Sequence, residues 1–417
     1  MKFIHCADVH LDSPLEGLSR YEGAPADQIR NATRKAFQKV VDVAIAEKVD
    51  FLLIAGDLYD TGLQSYESVL FFNAQAARLQ KVQIPIYLVL GNHDAANKLK
   101  KNLNSPSNVH VFSEKAPQTI RIDTLGVAIH GQSFARPDVT NDLAAQYPAA
   151  IPGLFNIGLL HTNVGGNSSH GNYAPCSLDT LIHKGYQYWA LGHVHGRTVL
   201  SLSPYVIYPG NLQGRHAKET GEKGCELVSV GSSGAITINT IPTTVIPWFT
   251  VVLDVSGCAT TDEIYEKSRT EIQNVARPAD GRIAAIRIQV IGPTAAHSEL
   301  MRNPEQVRNQ LVSVATEVGE GSIWVEDVRV LTTPRLNREA LLSRDDPIGE
   351  VVRMIDALRK EPGAIAKMEA ISDLRKKLPA ALYSGSDPLR FNDAELAAAL
   401  AETEGLLLAR LAETEPK

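Results

Sequence analysis

The run Asp50-Phe51-Leu52-Leu53-Ile54-Ala55-Gly56-Asp57 decides how this chain is read. A short, uninterrupted apolar stretch between two helical patterns is the mark of a strand buried on both faces of a parallel sheet. Asp57 then stands at its carboxyl end, where open α/β sheets collect ligands. Taken alone, a Gly-Asp pair is better explained by a turn or a helix cap. The arrangement recurs, however. Lys2 to Ala7 runs into Asp8-Val9-His10, Ile86 to Leu90 into Gly91-Asn92-His93-Asp94, Ile157 to Leu160 into His161, and Tyr188 to Leu191 into Gly192-His193-Val194-His195. Five apolar strands thus bring metal-ligand residue types to one sheet edge.

Working outward, a helix is expected from about Asp27 with Ile29, Phe37, Val40, Val41 and Ala44 on its inner face. A second is expected from about Ser65 with Val69, Phe72, Ala76 and Leu79 inward. The order βαβαβ gives a parallel half-sheet with right-handed crossovers. Val109 to Phe112, Thr119 to Ile122 and Val127 to His130 are short and closely spaced, as antiparallel strands are. Val206 to Tyr208, Glu226 to Val230 and Ala235 to Ile238 follow, and two packed sheets with helices outside fit the whole. Prolines near 242 and 247 punctuate the chain, after which a second βαβαβ pattern runs to about Pro334 and a wholly helical tail begins.

The 417 residues suggest two or three domains, and 44% hydrophobic with 21% charged residues is a soluble globular composition. A net charge of −6 gives no global attraction to nucleic acid or acidic membranes, so any polyanion site must be local. Nothing approaches the roughly 20 apolar residues of a membrane span, and Asp8, His10 and Asp12 interrupt the only candidate signal stretch. Cys6, Cys176, Cys225 and Cys258 are far apart with no CxxC pairing, as free thiols of the cytoplasm are.

The collected candidates are Asp8, His10, Asp57, Asn92, His161, His193 and His195, with His93 beside them. Carboxylate, amide and imidazole without thiolate suit divalent ions of intermediate hardness: manganese foremost, with iron and zinc as alternatives. Seven ligands exceed what one such ion takes. Two ions sharing Asp57, roughly 3.5 to 4 Å apart, would use them all in a two-metal phosphoryl-transfer site. His5, His110, His130, His170 and His183 match no ligand block and are assigned structural or surface roles.

The order DxH, GD, GNHD, H, GHxH resembles that of the calcineurin-like metallophosphoesterase superfamily over about the first 240 residues. The resemblance implies a four-layer αββα sandwich over residues 1–245, a small α+β capping domain over 246–334, and a C-terminal helical region over 335–417. It also implies that Asp8, His10 and His195 hold one metal, Asn92, His161 and His193 the other, Asp57 both, and that His93 faces the substrate. Protein phosphatases of the superfamily carry an arginine after Gly-Asp and a glutamate after Gly-Asn-His, where this chain has Asp60-Thr61 and Asp94. Gly56 to Gly62 and Gly91 to Asp94 instead look like the SbcD-type DNA repair exonuclease subunits. Ala7 to Leu15 and Pro209-Gly210-Asn211-Leu212-Gln213-Gly214-Arg215-His216 look closer still to YhaO-type nucleases. Asp60 replaces a histidine of the archaeal and eukaryotic double-strand-break nuclease subunits, so that histidine's role does not transfer.

The expected activity is therefore metal-dependent DNA phosphodiester hydrolysis, without base readout. Two alternatives stand beside it, a small-molecule phosphodiesterase or phosphatase and a DNA-end-binding scaffold whose site is silent. Lys98, Lys100 and Lys101 on one side and Arg197, Arg215, His216 and Lys218 on the other are candidates for phosphate contacts, with a solvated charged face as the plain alternative for the lysines. Asp346-Pro347 opens a helix with Ile348, Val351, Val352, Ile355 and Leu358 in one stripe. Ile365 to Leu378 and Leu396 to Leu411 carry two more. Such stripes pack on one another, on the capping domain, or, as the resemblance implies, on an SMC/Rad-like coiled-coil ATPase. Homodimerisation is left open.

Overall fold

The structure is a computed structural model that describes residues 1–13, 28, 31–60, 66–97, 106–166, 171, 173–279, 281–335, 341–361, 363–379, 391–397, 399–400, 403–404 and 407. Of the residues singled out above, Asp27, Ile29, Lys98, Lys100, Lys101, His170 and Leu411 lie outside the described residues.

Strands β1 (Lys2–Cys6), β2 (Phe51–Ala55), β3 (Ile86–Val89) and β4 (Val109–Val111) run parallel in one sheet. Strands β5 (Gln118–Ile122), β6 (Val127–Gly131), β7 (Phe155–His161), β8 (Tyr188–Gly192), β9 (Thr198–Leu202) and β10 (Tyr205–Tyr208) form a second sheet of order β5-β6-β7-β8-β10-β9. Strands β11 (Gly224–Val230) and β12 (Ile236–Pro242) return to complete the first, of order β12-β11-β1-β2-β3-β4. The sheets face each other across a core of Phe3, Phe51, Leu53, Tyr87, Ile157, Leu159 and Tyr188.

Helices α1 (Ala32–Ala46) and α2 (Glu67–Lys81) cover the outer face of the first sheet, burying Phe37, Val40, Val41 and Ala44 from one and Val69, Phe72, Ala76 and Leu79 from the other. These are the inner faces that the periodicity predicts. On the second sheet the outer layer is thinner: Trp189, Leu191 and Val206 pack beneath Tyr147, Tyr186 and the short helix Leu178–His183, whose Leu181 is buried. The result is the expected αββα order.

Two local expectations are corrected. Val109–Val111 pairs parallel with β3, not antiparallel with its sequence neighbour, because the long connection from Val89 allows a crossover to the same sheet. Thr198–Leu202 is a strand that its sequence does not announce, since its face is half exposed and lacks a clean alternation.

The chain divides into two compact units, residues 1–250, 276–286 and 322–326 forming one and residues 251–275, 287–321 and 327–417 the other. Ala285 and Trp324 join the first because they pack with Ala32, Ala217, Ile246 and Trp248. A three-stranded sheet of order β13 (Trp248–Asp254), β14 (Ala284–Thr294), β15 (Ile323–Pro334) carries the expected small αβ pattern, with helices Thr261–Ala276 and Pro304–Val318. In the tail, Asp346 caps Pro347–Lys360 by accepting from the Gly349 N–H at 2.9 Å, and Val352 and Ile355 are buried. The second stripe is split into Ala364–Lys367 and Glu369–Lys377, neither with a fully buried residue. The four cysteines are free and buried, and no described helix is long and apolar enough to cross a membrane.

Candidate metal centre

Parallel registry places the loop after every central strand at the same end of its sheet. Cys6 is level with Ile54 and Ala55 with Val89, so Asp8, Asp57 and Asn92 emerge together. Across the gap His161 is level with Gly192, which brings His193 beside it. The two sheets are joined here directly, by the His161 Nδ1–H donated to Ala55 O at 2.9 Å. Gly192 makes that approach feasible, because a Cβ there would lie 1.8 Å from Ala55 O. Gly91 does the same for the carboxylate, since a Cβ would lie 2.3 Å from Asp57 Oδ1.

The loops are held in an unfavourable backbone. Asp8, His10, Asp57 and His193 all have positive φ, at 49°, 45°, 49° and 109°. Non-glycine residues rarely sit there, and such strain persists where surrounding contacts over-determine it. Those contacts are visible: Asp8 N–H donates to Gly56 O at 3.1 Å, His10 N–H to Asp57 O at 3.0 Å, and Leu11 N–H to Leu58 O at 3.0 Å. The buried Asp94 carboxylate accepts from the N–H groups of Leu58, Tyr59 and Gly91. Asp8 accepts from His193 N–H, and Asp57 Oδ1 from His93 N–H at 2.9 Å.

Among the described residues the structure brings possible ligand side chains together in three overlapping groups: Asp8 with His10 and His195, Asp8 with Asp57 and His161, and His10 with Asp60 and His93. Tautomers follow from their partners. His195 Nδ1 lies 2.6 Å from Glu219 Oε1, so it carries the proton and leaves a lone pair on Nε2. That Nε2 lies 3.3 Å from His10 Nε2 and 3.9 Å from Asp8 Oδ1. His161 likewise donates from Nδ1, and its Nε2 lies 3.0 Å from Asn92 Oδ1 and 3.5 Å from Asp57 Oδ2. Each set is a convergence of acceptors, the arrangement a divalent cation relieves. His193 is oriented differently and joins none of these groups: Nε2–H is donated to Gly171 O at 2.8 Å, which leaves the lone pair on Nδ1.

Electrostatics agree with this fit. Burial pushes Asp8 well above the usual carboxylate range, with repulsion from Asp57 adding to it, and pushes Asp57 up to about 7. Burial also drives His10 and His161 well below the usual imidazole range, keeping them neutral and able to coordinate. Buried carboxylates that resist ionisation beside neutral imidazoles gain most from a cation between them.

His93 belongs to neither group that contains Asp8 and gathers instead with Asp60 and His10. Its side chain is 28% exposed, and Nδ1 lies 2.9 Å from Asp60 Oδ1. Burial alone would lower its pKa, but the hydrogen bond to Asp60 and the negative charges of Asp57 and Asp60 together outweigh that and raise it. Burial would likewise raise Asp60, yet His10, His93 and Ser13 hold it well below the usual carboxylate range.

The expected phosphate contacts are placed differently. Arg215 is only 15% exposed and donates to Asp60 Oδ2 at 3.0 Å. Arg197 is paired with the fully buried Glu226 at 2.6 Å. His216 is 53% exposed, with Nε2 3.5 Å from Glu219 Oε1. Glu219 escaped the sequence reading, because it belongs to no ligand block and acts through an imidazole partner, whereas Asp94 stands in the Gly91–Asp94 block but its backbone-holding role shows only in the structure. Of the histidines assigned structural roles, His5 bonds Tyr188 and Leu191 O, and His130 bonds Thr119 and Asn156. Both lie inside the sheets, away from the loops.

Parts of the chain are similar to known proteins. Residues 1–197 match the calcineurin-like phosphoesterase family, and residues 248–333 the middle domain of the metallophosphoesterase YhaO. The chain is 40% identical over 234 residues to the uncharacterized metallophosphoesterase YhaO of Bacillus subtilis, covering 55% of this chain and 57% of that relative. It is 24% identical over 294 residues to the DNA double-strand break repair protein Mre11 of Saccharolobus solfataricus, covering 65% of this chain and 72% of that one. A solved dimetal phosphatase from Danio rerio aligns over 58% of this chain and 96% of its own, at 12% identity and a TM-score of 0.38.

Proposed function

We propose that this chain, whose residues 1–197 match the calcineurin-like phosphoesterase family and whose residues 248–333 match the YhaO middle domain, is a metal-dependent phosphodiesterase acting on DNA. The observation that carries the reading is the convergence of acceptor atoms at the strand ends, with Asp57 between His10 Nε2 at 3.8 Å and His161 Nε2 at 3.5 Å. Asp8, His10 and His195 would hold one divalent ion, Asn92, His161 and His193 the other, and Asp57 both. Bound there, the ions supply Lewis acidity and ionise water near neutral pH. The protein's own part is orientation and proton handling. Asp60 fixes the His93 ring by its Nδ1–H, so Nε2 is the atom left to meet the departing sugar oxygen. Similarity to a relative named for DNA double-strand break repair supports the nucleic-acid half of the reading. Manganese is the ion we favour, on donor type.

Digestion of end-labelled single- and double-stranded DNA should proceed with manganese and stop with chelator. Cleavage of a small chromogenic diester with DNA left intact would confine the function to small substrates.

The proposal extends to a partner, an SMC/Rad-like ATPase gripping the tail helices. Met354, Met368 and Leu374 are 58%, 43% and 45% exposed there, and these are the apolar side chains such a partner would cover. Met354→Lys with Leu374→Lys should leave small-diester hydrolysis intact and abolish co-purification of the ATPase. Retained co-purification would place the partner elsewhere.

A further inference from the structure

We infer that Arg215 and Glu219 form a positioning clip that ties the His195 imidazole to the His93 imidazole, and that Arg215 serves the site this way and not as a phosphate ligand. The inference rests on the metal-dependent phosphodiesterase reading above.

A continuous hydrogen-bonded path runs between the two rings. His195 Nδ1–H reaches Glu219 Oε1 at 2.6 Å, Arg215 Nη2 lies 3.5 Å from the same oxygen, Arg215 Nη1 donates to Asp60 Oδ2 at 3.0 Å, and Asp60 Oδ1 meets His93 Nδ1 at 2.9 Å. Glu219 is pinned independently, its Oε2 accepting from Asn211 Nδ2 and from the Arg215 backbone N–H, both at 2.8 Å. Ser13 Oγ pins Asp60 Oδ2 at 2.7 Å. The segment also grips His195 by its main chain, since Lys223 Nζ donates to His195 O at 3.2 Å and Asn211 N–H to the same oxygen at 3.3 Å.

The clip needs an arginine. Asp60 and Glu219 are 9% and 8% exposed, so two nearly dry carboxylates must be neutralised by one cation between them. A planar guanidinium presents N–H groups to both, whereas an ammonium is a point charge that satisfies one well. The geometry also speaks against a phosphate role. Arg215 is 15% exposed, and its Nε is buried without a hydrogen-bond partner, so the guanidinium is not presented to solvent. Turning it toward a phosphate would strip the cation from both orienting carboxylates.

The test is a calorimetric titration of manganese into the metal-free full chain, without substrate, for wild type, Arg215→Met, Arg215→Lys and Glu219→Gln, alongside kinetics on DNA and on a small chromogenic diester. Arg215→Met and Glu219→Gln should each weaken one of the ions by about 10- to 100-fold, the usual scale for removing a partner of a metal-ligating histidine. Arg215→Lys should recover only part of this. Turnover should fall on both substrates, with the larger loss on DNA for Arg215→Met because its leaving group also needs His93, and with KM for DNA little changed. Because the two residues share one path, the double variant should lose little more than either single one. Unchanged manganese affinity in Arg215→Met with only KM for DNA raised would overturn the clip, as would additive losses in the double variant. Should Arg215→Met not fold, the near-isosteric Glu219→Gln decides alone, and wild-type-like affinity in it overturns the proposal. A wild type that binds two manganese ions yet hydrolyses no diester would sink the functional reading, while the titrations would still judge the clip.

Discussion

Asp57→Ala should lose both ions and slow diester hydrolysis by at least about 10³-fold, the loss expected when several kcal/mol of metal-derived charge stabilisation disappears. Asp57 Oδ2 lies within 4 Å of an imidazole on each side, His10 Nε2 and His161 Nε2, which is the basis of the expected double loss, while Asp8 is the carboxylate common to the two groups those imidazoles belong to. Asp57 Oδ1 also accepts the His93 N–H, which couples the loss to the loop that carries Asn92. Metal content by elemental analysis, read with the rate, checks this, and retention of both ions would sink the bridging role. A control separates chemistry from folding. Burial raises the folded-state pKa of Asp57 to about 7, above its unfolded value, so in metal-free buffer the folded state binds the extra proton. Through this group, stability is lost as pH rises from about 4 to about 7. Asp57→Asn removes that penalty and keeps the oxygen facing His93. Above pH 7 the metal-free Asn variant should therefore melt no lower than wild type, and a lower melting temperature would mark Asp57 as a folding residue.

His93→Ala should behave in the opposite way, keeping both ions while turnover falls by roughly 10² to 10⁴, the range for a positioned acid or base. The ring is bound through Nδ1 to Asp60 and groups with His10 and Asp60, but His93 belongs to neither group that contains Asp8, so both of those stay complete without its side chain. The leaving group supplies a sharper readout. A nitrophenolate departs without a proton and should be affected much less, whereas a sugar alkoxide needs one and should suffer the full loss. Equal losses on both substrates would remove His93 from protonation of the leaving group. Loss of an ion would make it a ligand instead.

How much of this was legible beforehand follows from where the information resides. Apolar runs ending in Gly-Asp, Gly-Asn and Gly-His carry their meaning locally, because a strand buried on both faces can hold only apolar residues and a loop at its end can hold polar ones. The inner faces of α1 and α2 were legible for the same reason, since Phe37, Val40, Phe72 and Leu79 recur at the helical period. Residue types and their order at the metal centre were therefore determined by the sequence alone. Tertiary structure alone decided the side-chain geometry around them. Arg215 and Asp60 are 155 positions apart, and His195 and Glu219 are 24 apart, so their pairing leaves no periodic trace. Arg215 reads as a phosphate contact in a glycine-rich loop until the fold closes two carboxylates around it. The same holds for β4, whose partner was set by the length of the preceding crossover and not by its three residues. Hydrophobic burial is written residue by residue at short range, whereas the pairing of buried charges depends on which loops the packed sheets bring face to face.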